Sequence, residues 1–170
     1  TLLLSVGLIP ENELSKKAGI ELDRRTRGPL VLDNLETGVK GIFACGNVLQ
    51  VHDLVDNVSH EGEKAGRNAA HYLLEGEKEG PLVKMMPGNG IGYICPQFIR
   101  QDTPESEVEI FFRVREPKRN VKFVLKKNGE AFFRLPKLRI APSEMESLKI
   151  KKEMLSDASE ITLDVEEVNA

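Results

Sequence analysis

GIFACGNV, residues 41–48, is an apolar run that stops on a glycine and an amide. Ile42-Phe43-Ala44 reads as a strand buried on both faces, as do Leu2-Leu3-Leu4 and Leu30-Val31-Leu32, the pattern of a sheet covered by helices. From Asp53 the period changes. Val58, Gly62, Ala65, Ala69 and Leu73 recur at steps of three and four, with Glu61, Glu63, Lys64, Arg67 and Asn68 on the other faces of a long helix. Asp53 or Asp56 is expected to cap its start, and Gly76 to end it. Gly62 and Gly66, one turn apart, let the helix approach a neighbour closely. Residues 1–78 are thus expected to be α/β, with buried strands and one long helix.

Beyond this region the pattern shifts twice. Pro81, Pro87, Gly88, Gly90, Gly92, Pro96 and Pro104 break every run between residues 79 and 106, which reads as a linker or a long packed loop. Residues 107–170 then alternate. Val108, Ile110, Phe112 and Val114 share one strand face, Val121, Phe123 and Leu125 a second, and Ala131, Phe133 and Leu135 a third. Asn128-Gly129 is the favoured two-residue hairpin turn, whose two positions need positive φ. Leu138-Ile140, Leu148-Ile150 and Ile161-Leu163-Val165 supply further strands. A small antiparallel β-sandwich follows, with Pro117, Pro136 and Pro142 at its corners or edges.

Composition narrows the function. The chain has 170 residues, 30% charged and 40% hydrophobic, with a net charge of −3 and both signs interspersed. That balance gives no electrostatic case for nucleic acid or an anionic membrane. No run approaches the ~18 to 20 apolar residues of a membrane span, and TLLLSVGLIP lacks the basic flank and cleavage site of a signal peptide. Two cysteines, Cys45 and Cys95, form neither a CxxC pair nor a Cys/His cluster. A reducing, cytoplasmic setting is the simplest inference. Opening at Thr1 inside an apolar run, the chain reads as a fragment of something longer.

Several catalytic arrangements fail on spacing. His60-Glu61 would begin HExxH, but position 64 is Lys64. His60 and His71 share a helix face, yet eleven residues place them roughly 16 Å apart, too far for one ion; both read as solvated. Ser5 and Ser59 lack the Gly-x-Ser-x-Gly elbow. Gly88-Asn89-Gly90-Ile91-Gly92 is glycine-rich, but no strand is expected before it and no helix after it, so it reads as a plain loop. Cys95 has no basic neighbour and reads as buried.

The turn after Ala44 remains. A strand ending at Gly46, with a helix start within ten residues, sets backbone N–H groups and a positive dipole end beyond the carboxyl edge of a sheet. Ligands of open α/β sheets bind at that edge. Gly46 has no Cβ to keep a ligand away, and Asn47 offers an acceptor and two donors.

At this point a resemblance enters. LETGVKGIFACGNV resembles the second flavin-binding motif of the two-dinucleotide-binding-domain flavoproteins, the pyridine nucleotide-disulfide oxidoreductases, through Thr37, Gly41, Ile42, Phe43, Ala44 and Gly46. LLLSVGLIPENEL is similar to the family's segment at the end of the NAD domain, carried here by Gly7, Pro10, Asn12 and Leu14. GPLVLD, ending at Asp33, resembles the strand before the Thr-containing turn, and AGRNAAHYL the closing helix of the FAD domain. The four segments cover residues 1–75 in the family's order. Two positions depart from the pattern: Asn47 stands where the family has Asp, and Lys40 where it has Pro.

The resemblance implies an FAD-dependent NAD(P)H oxidoreductase, with FAD touching Gly46, Asn47 and Val48 and the first N–H groups of a helix begun by Val55, Asp56 and Asn57 near the flavin O2 edge. Neither GxGxxG fingerprint is present in the chain, so the resemblance further implies that most of both nucleotide sites lies in an upstream part of the same protein, and that this piece alone is inactive. The tail, with HDLVDNVSHEGEKAG, FFRVREP and APSEM, is similar to NAD(FAD)-dependent dehydrogenases associated with dehydrogenase partner subunits. The β end then reads as a docking or dimerisation module for such a subunit or for a homo-oligomer. The other class of reading is a noncatalytic interaction protein, in which a remnant flavin half-domain scaffolds the β end.

Overall fold

The structure is a computed structural model that describes residues 1–4, 7–76, 79–101 and 105–168; Ser5 and Pro104, singled out above, lie outside the described residues. In chain order there follow α1 (Glu13–Lys17), a 3-10 turn at Gly46–Val48, α2 (Val55–Glu75), β1 (Leu82–Pro87), β2 (Ile91–Cys95), β3 (Phe98–Arg100), β4 (Glu107–Val114), β5 (Lys118–Lys127), β6 (Glu130–Ile140), β7 (Glu146–Lys151), a 3-10 turn at Lys152–Leu155, and β8 (Glu160–Glu167). The region with the long helix therefore precedes a β region, in the order the periodicity indicates.

In the β region, alternation becomes burial. Val108, Ile110, Phe112 and Val114 of β4 all face inward, as do Val121, Phe123 and Leu125 of β5. Asn128 and Gly129 take positive φ and close the β5–β6 hairpin. One sheet runs β3-β1-β8-β5-β6 and the other β2-β4-β7. Their inner faces share one apolar core, and the Phe112 and Phe123 rings meet edge to face at 4.8 Å. Pro136 lies exposed on β6, an edge strand, where its missing N–H breaks no ladder bond. One pairing departs from the antiparallel expectation: β1 and β8 run parallel.

Residues 79–106 are not a linker or a loop over their length. They contain β1, β2 and β3, with Val83, Met85, Ile91, Ile94 and Ile99 in the shared core. Their prolines and glycines fall at strand ends and turns, which hid a short-strand alternation. A strand does precede Gly88-Asn89-Gly90, and these residues make the β1–β2 turn, with Gly90 at φ 74.

The three apolar runs of the first region also differ from expectation. Leu2, Leu3 and Leu4 have no strand pairing among the described residues and are 76–91% exposed. Residues 30–32 and 42–44 make isolated bridges rather than ladders, Val31 with Thr37 and Phe43 with Glu36. The chain turns back too soon for a strand: Leu35 N–H bonds Leu32 O, and Ile42 N–H bonds Val39 O.

This compact hairpin of turns is fastened to the β region. Leu32 bridges Phe98 in parallel, Val31 N–H donates to Gln97 Oε1 at 3.0 Å, and Phe98 N–H donates to Val31 O. Asp33, buried, accepts from Arg100 N–H through Oδ1 and from Lys152 Nζ through Oδ2. Both charged ends of that pair are out of water, so removing Lys152 leaves the buried Asp33 carboxylate without its counter-charge. Lys152→Met is expected to lower stability by about 3–5 kcal/mol, read from urea midpoints, with the double variant Lys152→Met, Asp33→Asn recovering part of the loss. No recovery in the double variant would show that the pair is not the connection.

Candidate functional site

The segment expected to face a ligand is built around one buried carboxylate. Gly46 follows extended Cys45 and turns at φ 68, a conformation that glycine adopts without strain. A Cβ there would stand 3.1 Å from Val58 Cγ1, so the same glycine lets the turn lie against α2. Glu61, one turn further along α2, reaches back. Its Oε2 accepts from Gly46 N–H at 2.7 Å and its Oε1 from Gln50 Nε2 at 3.0 Å. His52 Nε2 lies 2.9 Å from Glu61 Oε2, at ion-pair distance but outside hydrogen-bond geometry, and the His52 ring packs edge-on against Phe111 of β4. Glu61 and His52 are both buried.

Neighbouring segments hold the rest of the turn. Asn12, buried, donates through Nδ2 to Val48 O at 2.8 Å and to Arg27 O at 3.0 Å. Thr37 Oγ1 closes its own turn with Val39. Gly41, at φ 75, lies under the Tyr72 ring of α2, and Phe43 meets that ring edge-on at 6.3 Å. Thr37, Gly41, Phe43 and Asn12 are positions that carried the resemblance, and each fixes the path of the chain into or around the turn.

Gly46, Asn47 and Val48 thus lie beside the N-terminal end of the helix that Val55, Asp56 and Asn57 begin, with Val58 against Gly46. Asn47, Val55 and Asp56 are exposed. The Asn47 acceptor is occupied: Oδ1 takes His52 N–H at 3.2 Å, so its amide donors are what it can offer a ligand. Neither Asp53 nor Asp56 caps α2. The N-cap is Leu54, without a side-chain bond, because Asp53 is drawn away to Arg113 Nη2 of β4 and Met145 N–H. The first backbone N–H groups of α2 therefore carry the positive dipole end without a side-chain acceptor.

Both thiols are disfavoured as thiolates. Burial, then the Glu61 charge, raises Cys45; the same causes push buried Cys95 well above the ordinary thiol value. His60 and His71 are exposed, and His71 pairs with Glu75. Among the described residues no group of His, Cys, Asp and Glu could hold a metal.

Sequence reading missed Glu61, Gln50 and His52. The helix buries Glu61 and Ala65 and half-buries Val58, Asn68, Ala69 and Tyr72, while Gly62 and Leu73 are exposed. The inward stripe is offset from the apolar positions chosen, and Glu61, three after Val58 and four before Ala65, lies on it. A carboxylate at such a spacing is the signal available.

The family model described as pyridine nucleotide-disulphide oxidoreductase matches residues 1–65. The match spans 65 of the 170 residues, and that segment is similar to the family. The matched segment includes the turn, the start of α2 and Glu61, whereas β1 to β8 lie outside it. No curated protein and no solved structure matches the chain. No helix among the described residues is long and apolar enough to cross a membrane.

Two outcomes are expected from this geometry. Glu61→Leu leaves Gly46 N–H and the Gln50 amide unpaired and should cost about 2–3 kcal/mol, a fall of roughly 5–10 °C in melting temperature, while exposed His71→Ala leaves it within about 2 °C. Equal melting temperatures for the two variants would remove Glu61 from this role. Asp53 behaves differently with pH. Burial raises its pKa, but the Arg113 hydrogen bond, the Met145 N–H and the Arg113 charge outweigh that and hold it below the ordinary carboxylate value. A lowered carboxyl contributes stability above its unfolded pKa and loses it as pH falls through the folded one. Asp53→Asn should therefore cost about 1 kcal/mol near neutral pH and nothing in acid below both values. A deficit that persists at low pH would contradict the assignment.

Proposed function

We propose that the chain is the C-terminal portion of an FAD-dependent NAD(P)H oxidoreductase, supplying the second flavin-binding motif and a β docking module. The observation that carries this is the uncapped start of α2 held beside the Gly46–Val48 turn, within the segment matched to the oxidoreductase family. The residues fit one edge of the group. Gly46 keeps side-chain bulk away, Asn47 presents amide donors to the ribityl hydroxyls, and the N–H groups at residues 55–57 face the flavin O2 edge. Asp56 contributes there through its backbone, since its carboxylate would oppose the negative charge that develops on reduction. FAD, when bound, supplies the electron relay between NAD(P)H and an acceptor.

The upstream part of the same protein completes both nucleotide sites in this reading. Support comes from apolar surface that the described chain leaves open: Leu2, Leu3, Leu4, Leu8 and Ile9 are 66–91% exposed, and Leu54 and Val55 are exposed at the start of α2. Surface of this kind marks an interaction site. The β region then docks a dehydrogenase partner subunit or a second copy.

The test is FAD retention after desalting, read from flavin absorbance, for this chain and for a version extended upstream. Retention by the extended form alone supports the proposal. Within that form Asn47→Leu should weaken FAD binding by about 1–3 kcal/mol in titration calorimetry. An extended form that retains no flavin would favour the noncatalytic scaffold instead.

A further inference from the structure

A cavity of about 380 Å³ opens between the turns of the first region and strands β1 and β3. Its volume falls within the range of small-molecule sites. Leu30, Leu32, Leu82 and Phe98 give it apolar walls, and Arg100 lies at its lining. Arg100 is only 7% exposed. Its backbone N–H bonds Asp33, but its guanidinium makes no hydrogen bond among the described residues; the carboxylate beside it, Glu36 Oε2, is 3.7 Å away. Glu36 is otherwise engaged, accepting from Gly41 N–H at 3.0 Å and from Asn34 Nδ2 at 3.4 Å. The fork of five N–H donors, ion-paired with Glu36 but not hydrogen-bonded and lining the cavity, has donors left for an acceptor there.

We propose that this cavity binds a monocarboxylate with an apolar body, its carboxylate paired with the Arg100 guanidinium and its body against Leu30, Leu32, Leu82 and Phe98. The fork geometry of Arg matches a carboxylate in bidentate fashion. The surrounding charge sets the limit of one: Glu21, Glu36 and Glu79 also line the cavity, so a dianion such as phosphate meets like charge, while Lys40 at the lining is already 3.9 Å from Glu79. None of residues 46–48 or 55–57 lines the cavity, so the site is separate from the flavin edge and does not depend on the flavin reading.

The probe is para-fluorocinnamate followed by fluorine NMR line broadening on the full chain, with para-fluorophenethylamine as the cationic counterpart. Broadening by the carboxylate and not the amine, weakened at least about tenfold in Arg100→Met, supports the site. Leu82→Trp, which fills the cavity from a half-exposed position across the strand pair from Arg100, should abolish broadening with the guanidinium still present and decides the matter if Arg100→Met does not fold. Absence of carboxylate binding to the unaltered chain, equal binding of the amine, or binding unchanged in either folded variant overturns the proposal.

Discussion

A buried carboxylate on a helix has few ways to be satisfied, and Glu61 has taken the one that shapes this region. By accepting from Gly46 N–H and the Gln50 amide it binds the residues after Cys45 to the inner face of α2. The bond requires the backbone to come close, which glycine at positive φ permits, and it leaves the outer side of the turn and the start of the helix open together. Charge-assisted bonds out of water are strong, and leaving one partner alone is costly. The relative position of turn and helix is therefore set by chemistry inside the protein and not by whatever binds outside it, which is the preorganisation that the proposed flavin edge needs.

The β region contributes to the same end. His52 is pressed between Glu61 and Phe111, and Asp53 is held by Arg113 and Met145 N–H, so β4 and the chain before β7 fix the link between turn and helix. The Asp33–Lys152 pair and the bridge from Leu32 to Phe98 fasten the other side of the first region. The segment matched by the family model and the β region outside it are thus joined by polar contacts on two sides, buried at Asp33–Lys152 and exposed at Asp53–Arg113.

Much of the β region could be read from sequence, because period-two alternation survives wherever one strand face is buried; Val108 to Val114 and the Asn128-Gly129 turn carry that signal. β1 to β3 were hidden by proline and glycine at their ends, although Val83 and Met85 alternate as strongly. The first region was harder. Runs such as Leu30-Val31-Leu32 satisfy the composition of a buried strand, but pairing is a property of neighbours, and here the neighbours are turns. Around the proposed site, the turn at Gly46 and the helix after it were legible in the sequence. Glu61 was not, because polarity assigned it to solvent while its spacing from Val58 and Ala65 placed it inward, and the Asp53 link to Arg113 joins residues sixty apart that no local pattern relates.

The most direct measurement is a crystal structure of the chain extended upstream and crystallised with FAD. The account places the ribityl chain within hydrogen-bond distance of the Asn47 amide nitrogen and the flavin O2 edge against the N–H groups of residues 55–57, with the bond from Gly46 N–H to Glu61 intact. Flavin bound elsewhere, or a turn released from Glu61 to meet it, would contradict it.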